Sequence, residues 1–235
     1  MKTESRPPLW PRTLLSLGLA AIWAAPCAAG TIVGTVRASA LSGAPEASGG
    51  GAYDSRRYKF VEKIDYEHLR DLIVYIDQPV AEPAPAGPQL AAVTTQKDAS
   101  FDPHVLPVAV GTTVRWPNED EIFHNVFSMS DVKPFELGFY KRDKVPEVTF
   151  DQVGRVDVFC AIHTKMHCII LVLPSAHFAV ADANGRFVLK GVPAGTYKLR
   201  AWHERMPAQT KVVVVPAEGE VAVDFKLGLG ELPKY

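Results

Sequence analysis

Apolar residues recur along this chain in short runs of strand length. Residues 31–37 (TIVGTVR) and 71–77 (DLIVYID) are rich in β-branched side chains and predict two strands early in the chain. Between about residues 90 and 174 further short apolar runs follow one another, with Gly and Pro between them and no persistent helical period. This rhythm predicts an all-β unit of the sandwich or barrel type.

A second β rhythm follows in residues 175–235. Residues 178–181 (FAVA) and 187–189 (FVL) flank Asn184-Gly185, a pair that accepts the positive φ of a tight hairpin turn. Further strands are predicted where β-branched or apolar positions recur, at 198–202, 211–215 and 221–227. Together these elements predict a second, smaller β-sandwich.

Two segments of biased composition separate these units. Residues 42–53 are rich in Ser, Gly and Ala and predict a loop, and residues 79–88 (PVAEPAPAGP) predict a semi-rigid linker. We therefore expect four parts after the N-terminal segment: early strands at 30–80, a linker at 81–89, the larger domain at 90–173, and the strands of the smaller sandwich at 174–235.

The first 29 residues have the pattern of an export signal. Lys2, Arg6 and Arg12 precede the apolar run 14–25, and small residues at 27–29 suit cleavage before Gly30. We expect a periplasmic or otherwise exported protein with no stable membrane span after cleavage. An uncleaved anchor is the alternative, although the apolar run is short for a span. A lipoprotein anchored through Cys27 is disfavoured by the preceding proline.

Composition and charge narrow the class of partner. Hydrophobic residues make up 47% of the 235 positions, enough for folded domains, and the formal net charge is −1. Removal of the signal deletes Lys2, Arg6, Arg12 and Glu4, which changes this charge from −1 to −3. No cluster of Lys and Arg is dense enough to neutralise a row of phosphates, so we expect no nucleic acid partner.

One loop carries the ligand chemistry of a mononuclear copper site. A Cu(II)/Cu(I) couple needs one soft anionic sulfur, two imidazole nitrogens and a weak axial ligand. Cys160, His163 and Met166 occur within the heptapeptide CAIHTKM, and His124 is supplied from the earlier segment IFHNVF. We predict one copper ion held by His124, Cys160, His163 and Met166.

The main alternative for Cys160 is a disulfide with Cys168, because both cysteines survive signal removal and exported proteins oxidise. Cys168 shares strand parity with Met166 and precedes Ile-Ile-Leu-Val, which favours a buried free thiol. His167 is expected on the opposite face, in contact with solvent.

The remaining histidines and tryptophans have ordinary interpretations. His203 could bind a second copper ion with Met206, but a strand-end histidine that hydrogen-bonds locally is the favoured interpretation. Surface or packing roles are expected for His68, His104 and His177. Core packing is expected for Trp116 and Trp202.

The segments FDPHVLPVAVGTTVRWPNED, HNV and TFDQVGRVDVFCAIHTKM resemble the plastocyanin, pseudoazurin and amicyanin family over about residues 90–173. The resemblance implies a cupredoxin Greek-key β-sandwich in which His124, Cys160, His163 and Met166 bind copper. It also implies that the side chain of Asn125 ties the two ligand loops together. The Cys-x-x-His-x-x-Met spacing is the short form that amicyanin has, two residues shorter than in plastocyanins.

The strands IVGTV (32–36) and LIVYID (72–77), with residues 174–235, are similar to the carboxypeptidase-regulatory, transthyretin-like family. This similarity implies that the copper domain is inserted between the second and third strands of the smaller sandwich. Sequences of this two-part kind also resemble proteins labelled methylamine-utilisation proteins.

The function expected from these features is one-electron transfer rather than catalysis. Four protein ligands leave no position for a substrate, and by resemblance His163 is the edge through which electrons leave, flanked by Ala161 and Ile162. Partners would be exported redox proteins such as a cytochrome or a dehydrogenase. Two alternatives stay open: a copper storage or delivery module, and a structural protein stapled by a Cys160–Cys168 disulfide.

Overall fold

The computed structural model describes residues 29–39, 69–81 and 92–228. The signal segment up to residue 28, the loop at 42–53 and most of the linker lie outside the described residues, as does His68. Within these ranges every regular element is a β-strand, so the all-β prediction is confirmed. The described part contains no helix that could cross a membrane.

The strands, numbered in chain order, are β1 (Ala29–Ala38), β2 (Ile73–Ile76), β3 (Ala92–Val93), β4 (Thr95–Lys97), β5 (Ser100–Asp102), β6 (Val105–Ala109), β7 (Thr112–Arg115), β8 (His124–Ser128), β9 (Phe135–Tyr140), β10 (Glu147–Phe150), β11 (Gly154–Cys160), β12 (His167–Leu173), β13 (Phe178–Val180), β14 (Arg186–Pro193), β15 (Gly195–His203), β16 (Met206–Val215), β17 (Glu220–Ala222) and β18 (Phe225–Leu227). The first of them begins at Ala29, one residue before the start expected for the mature chain.

Strands β3 to β12 form one sandwich, here called the ligand sandwich. Its larger sheet has the order β6-β12-β11-β8-β9, its smaller sheet has the order β10-β7-β3, and β4 and β5 form a separate hairpin. Trp116 and Phe150 are fully buried between the sheets, so Trp116 is the core aromatic that was expected. Strands β8 and β11, which carry His124 and Cys160, are neighbours in the larger sheet.

The remaining strands form a second sandwich, here called the flanking sandwich. One sheet contains β14, β1, β17 and β18, and the other has the order β13-β2-β15-β16. Strand β1 can approach the β17–β18 connection because Gly34 has no side chain; a Cβ there would lie 1.9 Å from the carbonyl oxygen of Val223. Strands β1 and β2 thus share their sheets with strands that follow the ligand sandwich in the chain.

The turn at Asn184-Gly185 joins two sheets and not one hairpin, which corrects the sequence expectation. Gly185 has a φ of 75° and donates to the carbonyl of Asp182, as a tight turn requires. However, β13 pairs with β2, whereas β14 pairs with β1. Strand β2 lies next to β13, and β1 lies next to β14. The turn therefore carries the chain from one sheet of the flanking sandwich to the other.

The two sandwiches pack sheet against sheet along a buried apolar seam. Ile169, Leu171 and Leu173 point from β12 into this seam, whereas Cys168, Ile170 and Val172 point into the ligand sandwich. From the flanking sandwich the seam receives Ile73, Tyr75, Phe178 and Trp202. Trp202 is therefore a half-buried contact between the sandwiches and not, as expected, an internal residue of one of them.

Candidate metal centre

His124 begins β8, with its side chain fully buried. Its Nε2 lies 2.9 Å from Oδ2 of Asp120, four residues earlier. The Asp120 carboxylate also accepts the backbone N–H of Asp98 at 2.7 Å and that of Ala99 at 3.0 Å, both from the β4–β5 turn. Burial alone would raise the pKa of Asp120, but these hydrogen bonds and the one from His124 lower it.

The Asp120 contact fixes the tautomer of His124. An ionised carboxylate can only accept a hydrogen bond, so Nε2 of His124 carries the proton and Nδ1 presents a lone pair. That Nδ1 lies 3.1 Å from Nδ1 of His163 and 3.6 Å from Sγ of Cys160. Sγ of Cys160 is also 3.6 Å from Nδ1 of His163.

These three ligand atoms form a nearly equilateral triangle. Its centre lies about 2.0 Å from each atom, close to the roughly 2.0–2.3 Å at which nitrogen and sulfur bind a first-row metal ion such as zinc. Two imidazoles and one thiolate in a trigonal set are typical of electron-transfer copper sites. Among the described residues, this is the one group of at least three His, Cys, Asp or Glu side chains whose ligand atoms converge.

The ligand loop is closed by backbone hydrogen bonds. Cys160 ends β11, and its N–H donates to the carbonyl of Met166 at 3.2 Å. The N–H of Met166 in turn donates to the carbonyl of His163 at 2.9 Å. Met166 is 1% exposed and belongs to the same apolar cluster as Cys160. Its role as fourth ligand stays a prediction.

Asn125 links the ligand loops through its backbone and not through its side chain, which corrects the expectation from the resemblance. The carbonyl of Asn125 accepts the N–H of Ala161 at 3.0 Å. Its side-chain Nδ2 donates instead to Oε1 of Glu136 on β9 at 2.8 Å, and its buried Oδ1 has no hydrogen-bond partner among the residues that the structure describes. The backbone link suffices because β8 and β11 are already neighbours in the sheet.

The structure contradicts the disulfide alternative. Cys160 and Cys168 are both free, and Cys168 is fully buried opposite Val158 in the core. Burial raises the pKa of Cys168 well above its ordinary value, and the negative charge of Asp157 adds to this effect. Cys168 is therefore an unreactive core thiol, and the thiol of Cys160 is available as a ligand.

Three described histidines outside the triangle have partners of their own. Nδ1 of His203 accepts the N–H of Arg205 at 3.2 Å, as expected of a strand-end histidine, while Met206 lies in the flanking core. His167 is on the face opposite Cys168, but it is only half-buried: Nε2 contacts Asp157 at 3.0 Å and its ring stacks on Phe159. His104 contacts Glu204 across the seam at 3.2 Å.

Two of these features were missed from the sequence alone. The partner of His124 could have been found, because Asp120 stands four residues before it in the turn WPNED. The contact between His104 and Glu204 could not, because the two residues are a hundred positions apart and in different sandwiches.

Four apolar side chains that are near the ligand residues in sequence or in the sheet are exposed, and the ligand His163 is itself partly exposed. Ile122 and Phe123, just before the ligand His124, are 48% and 50% exposed, and Ile162 is 48% exposed. Phe139 on β9, paired with Asn125, is 61% exposed. These four side chains, here called the apolar patch, border the ligand end of the sandwich.

Comparison with known proteins adds two observations. Residues 169–228, about a quarter of the chain, match the family model of the carboxypeptidase regulatory-like domain. That segment runs from β12 through β18 and so contains most of the flanking sandwich. No curated protein matches the chain.

Solved structures similar to the chain include several cupredoxins. A reduced tryptophan-to-tyrosine mutant of amicyanin is 26% identical, covering 35% of this chain and 81% of its own, with a TM-score of 0.33. The copper-containing nitrite reductase of Thermus scotoductus SA-01 is 31% identical, covering 40% of this chain but only 25% of its own, with a TM-score of 0.35.

A purple cupredoxin from Nitrosopumilus maritimus is 24% identical and covers 34% of this chain and 98% of its own, with a TM-score of 0.32. Each of these matches covers less than half of this chain. The chain is an all-β protein in which a segment similar to carboxypeptidase regulatory-like domains adjoins a unit similar to cupredoxins.

Proposed function

We propose that this chain is an exported type 1 copper protein that carries one electron at a time between redox partners. The observation that carries the proposal is the triangle of His124 Nδ1, His163 Nδ1 and Cys160 Sγ, with sides of 3.1, 3.6 and 3.6 Å. One copper ion bound there supplies a Cu(II)/Cu(I) couple.

The protein's own contribution is to hold the three ligand atoms in one arrangement for both oxidation states. His124 and Cys160 stand at the ends of two paired strands, and both are buried. Asp120 keeps the tautomer of His124 that leaves Nδ1 free to bind. Because these ligands are fixed by the fold, little rearrangement needs to accompany electron transfer, and Met166 would set the potential as a weak axial ligand.

His163 is the route by which electrons would reach a partner. It is the ligand with partial exposure, and the apolar patch includes Ile162, the residue before it. Such a patch can exclude water in a brief encounter without the large interface of a permanent complex. The exported partners we propose are a cytochrome and a dehydrogenase or reductase.

The proposal assigns the chain no catalytic step. Three buried or partly buried ligands, with Met166 as a fourth, would leave no position for a substrate to bind. The location follows from the export signal expected at residues 1–29.

A reductive titration tests the carrier role. Copper-loaded full-length mature protein should take up one electron per copper reversibly, and it should exchange that electron with an exported c-type cytochrome within seconds. A storage or delivery module would behave differently: its Cu(I) affinity would survive loss of one ligand, and its potential would lie too far from that of the cytochrome for exchange. Absence of exchange together with such affinity would reject the carrier role.

A further inference from the structure

His104 forms a hydrogen bond between the two sandwiches beside the start of β12, next to the bond that Arg155 of β11 donates to the carbonyl of Glu204 at 3.4 Å. His104 lies in the turn between β5 and β6 of the ligand sandwich, and Glu204 lies in the turn between β15 and β16 of the flanking sandwich. Nε2 of His104 is 3.2 Å from Oε2 of Glu204. Nδ1 of His104 is 3.3 Å from the carbonyl oxygen of His167.

The acceptors around His104 determine its protonation in this arrangement. A carbonyl oxygen can only accept, so Nδ1 must carry a proton. An ionised carboxylate can also only accept, so Nε2 must carry one as well. A neutral imidazole beside an ionised carboxylate has one proton too few to form both contacts. The contacts of His104 with the His167 carbonyl and with Glu204 therefore exist together only while the pair of His104 and Glu204 holds one further proton, and loss of that proton removes one of the two contacts.

His104 also holds the first residues of β12 through its backbone. The N–H of Ile169 donates to the carbonyl of His104 at 2.8 Å, so His104 is bonded on both sides of Cys168. This part of β12 follows Met166 directly in the chain. A change at His104 is thus transmitted to the end of the ligand loop by two hydrogen bonds and the strand itself.

We propose that His104, with both ring nitrogens donating, is a proton-dependent positioning residue through which Glu204 of the flanking sandwich holds the start of β12 and hence Met166. The effect on Met166 as a copper ligand rests on the proposed function; the latch between His104 and Glu204 does not. This gives the flanking sandwich a role, which is to brace the ligand loop.

Other charged and titratable groups surround the latch. Those of the ligand sandwich are Asp102, Arg155, Asp157, Lys165 and His167, and those of the flanking sandwich are Arg70, Asp71, His203 and Arg205. Burial is the main cause that lowers the pKa of His203 and also the main cause that raises the pKa of Asp71. His104 and Glu204 are both among the charges that act on Asp71, and a cleft lined by His104, Lys165 and Glu204 gives protons access.

The latch is tested first without copper. Full-length mature protein with ¹⁵N-labelled histidine should show two protonated ring nitrogens on His104 at about pH 6, because both of its partners are acceptors. In Glu204→Ala, which removes the acceptor, hydrogen exchange at the Ile169 amide should become about two- to fivefold faster at that pH. The control Glu218→Ala, at an exposed carboxylate in the turn before β17, should leave it unchanged. One ring proton on His104, or unchanged exchange in Glu204→Ala, would overturn the latch.

The connection to Met166 is tested in the Cu(II) form. The intensity ratio of the two thiolate-to-copper absorption bands responds to the axial ligand, so it should change with pH between 5 and 8 in wild type. The ratio should not change with pH in Glu204→Gln or in His104→Gln, because each variant replaces one member of the pair by an amide that does not titrate. If the latch is present but the ratio in wild type does not change with pH, then His104 does not position Met166. Absence of these bands altogether would reject the proposed function and leave the exchange result standing.

Discussion

At the scale of single residues, the hydrogen bond between Asp120 and His124 sets which nitrogen of the imidazole is free to bind a metal ion. The bond places the imidazole proton on Nε2 and leaves Nδ1 free, 3.6 Å from Sγ of Cys160. The β4–β5 turn holds Asp120 in place by two backbone N–H groups. A carboxylate bonded to a ligating imidazole also raises the basicity of that ligand.

We expect Asp120→Asn to weaken copper binding by about 10- to 100-fold, the usual cost of losing such a partner. The amide cannot accept from His124 and from both turn N–H groups as an ionised carboxylate does. Competition with a Cu(I) chelator measures the affinity. Asp143→Asn, at an exposed position, is the matched control, and equal affinity in the two variants would show that the tautomer is set by something else.

A second carboxylate makes a pH-dependent contribution to stability. Asp224 accepts both the N–H and the hydroxyl of Thr35 at 2.8 Å, and these hydrogen bonds lower its pKa. Because the folded-state pKa is the lower one, the stabilisation is present at neutral pH. It begins to be lost as the pH falls below about 4, the ordinary range of an aspartate, and it is gone below the folded-state pKa.

Asp224→Asn should therefore reduce stability at pH 7 and flatten the loss of stability on acidification. The free energy of unfolding in urea, measured from pH 7 down to 2.5, gives both quantities. The curves of wild type and variant should converge at the acid end. Parallel curves over the whole range would mean that Asp224 does not contribute through its charge.

At the scale of elements, β12 is the strand on which both sandwiches depend. Its residues are buried on alternate faces, Ile170 in the ligand sandwich and Leu171 in the seam. A strand covered on both sides has a continuous apolar sequence, as IILVL has. The ligand loop is attached to the start of this strand, so the seam supports the site.

Leu171→Ala should destabilise the whole protein by about 2–5 kcal/mol, because the residue is 5% exposed and a cavity would remain. Val214→Ala on β16, 67% exposed, should change stability by no more than about 0.5 kcal/mol. Urea unfolding should show one transition for both. Separate transitions for the two sandwiches, or a negligible effect of Leu171→Ala, would contradict a shared core.

The positions of the strands along the chain were largely predictable from sequence. Which strands pair and pack with each other was only partly predictable. Period and turn residues locate a strand such as β12, and the alternation of Cys168 and Ile169 indicates which residue enters the core. The second face of β12 is covered by residues such as Ile73 and Trp202, which are distant in sequence. The period of the apolar positions therefore does not identify them. Strands β13 and β14 are joined by a tight turn, but they pair with β2 and β1 and not with each other. These partners are also distant in sequence, so the turn residues alone do not predict the pairing.

Most of the candidate site was predictable because its residues are close together in sequence. Cys160, His163 and Met166 lie within one loop, so local spacing brings them together whatever surrounds them. His124 needed the resemblance, since only the pairing of β8 with β11 delivers it. The contacts of Asn125 depend on Glu136 across the sheet, which spacing does not reveal.

At the scale of the whole molecule, the ligand triangle and the apolar patch lie at the same end of the ligand sandwich. Electron self-exchange between two copies tests this surface without the natural partner. Ile162→Lys places a positive charge on both faces of the encounter, so the rate should fall by about tenfold or more at low salt and recover in part at high salt. Val212→Lys on β16, 71% exposed in wild type, is the matched control. Equal rates in both variants would place the exchange surface elsewhere.

The central claim is that Cys160 is the thiolate ligand of a type 1 copper site. The visible absorption and EPR spectra of the copper-loaded, full-length mature protein test it most directly. Wild type should show an intense thiolate-to-copper band and a small copper hyperfine splitting, and Cys160→Ser should lose both while staying folded. A wild type without the intense band, or the same band in Cys160→Ser, would contradict the account.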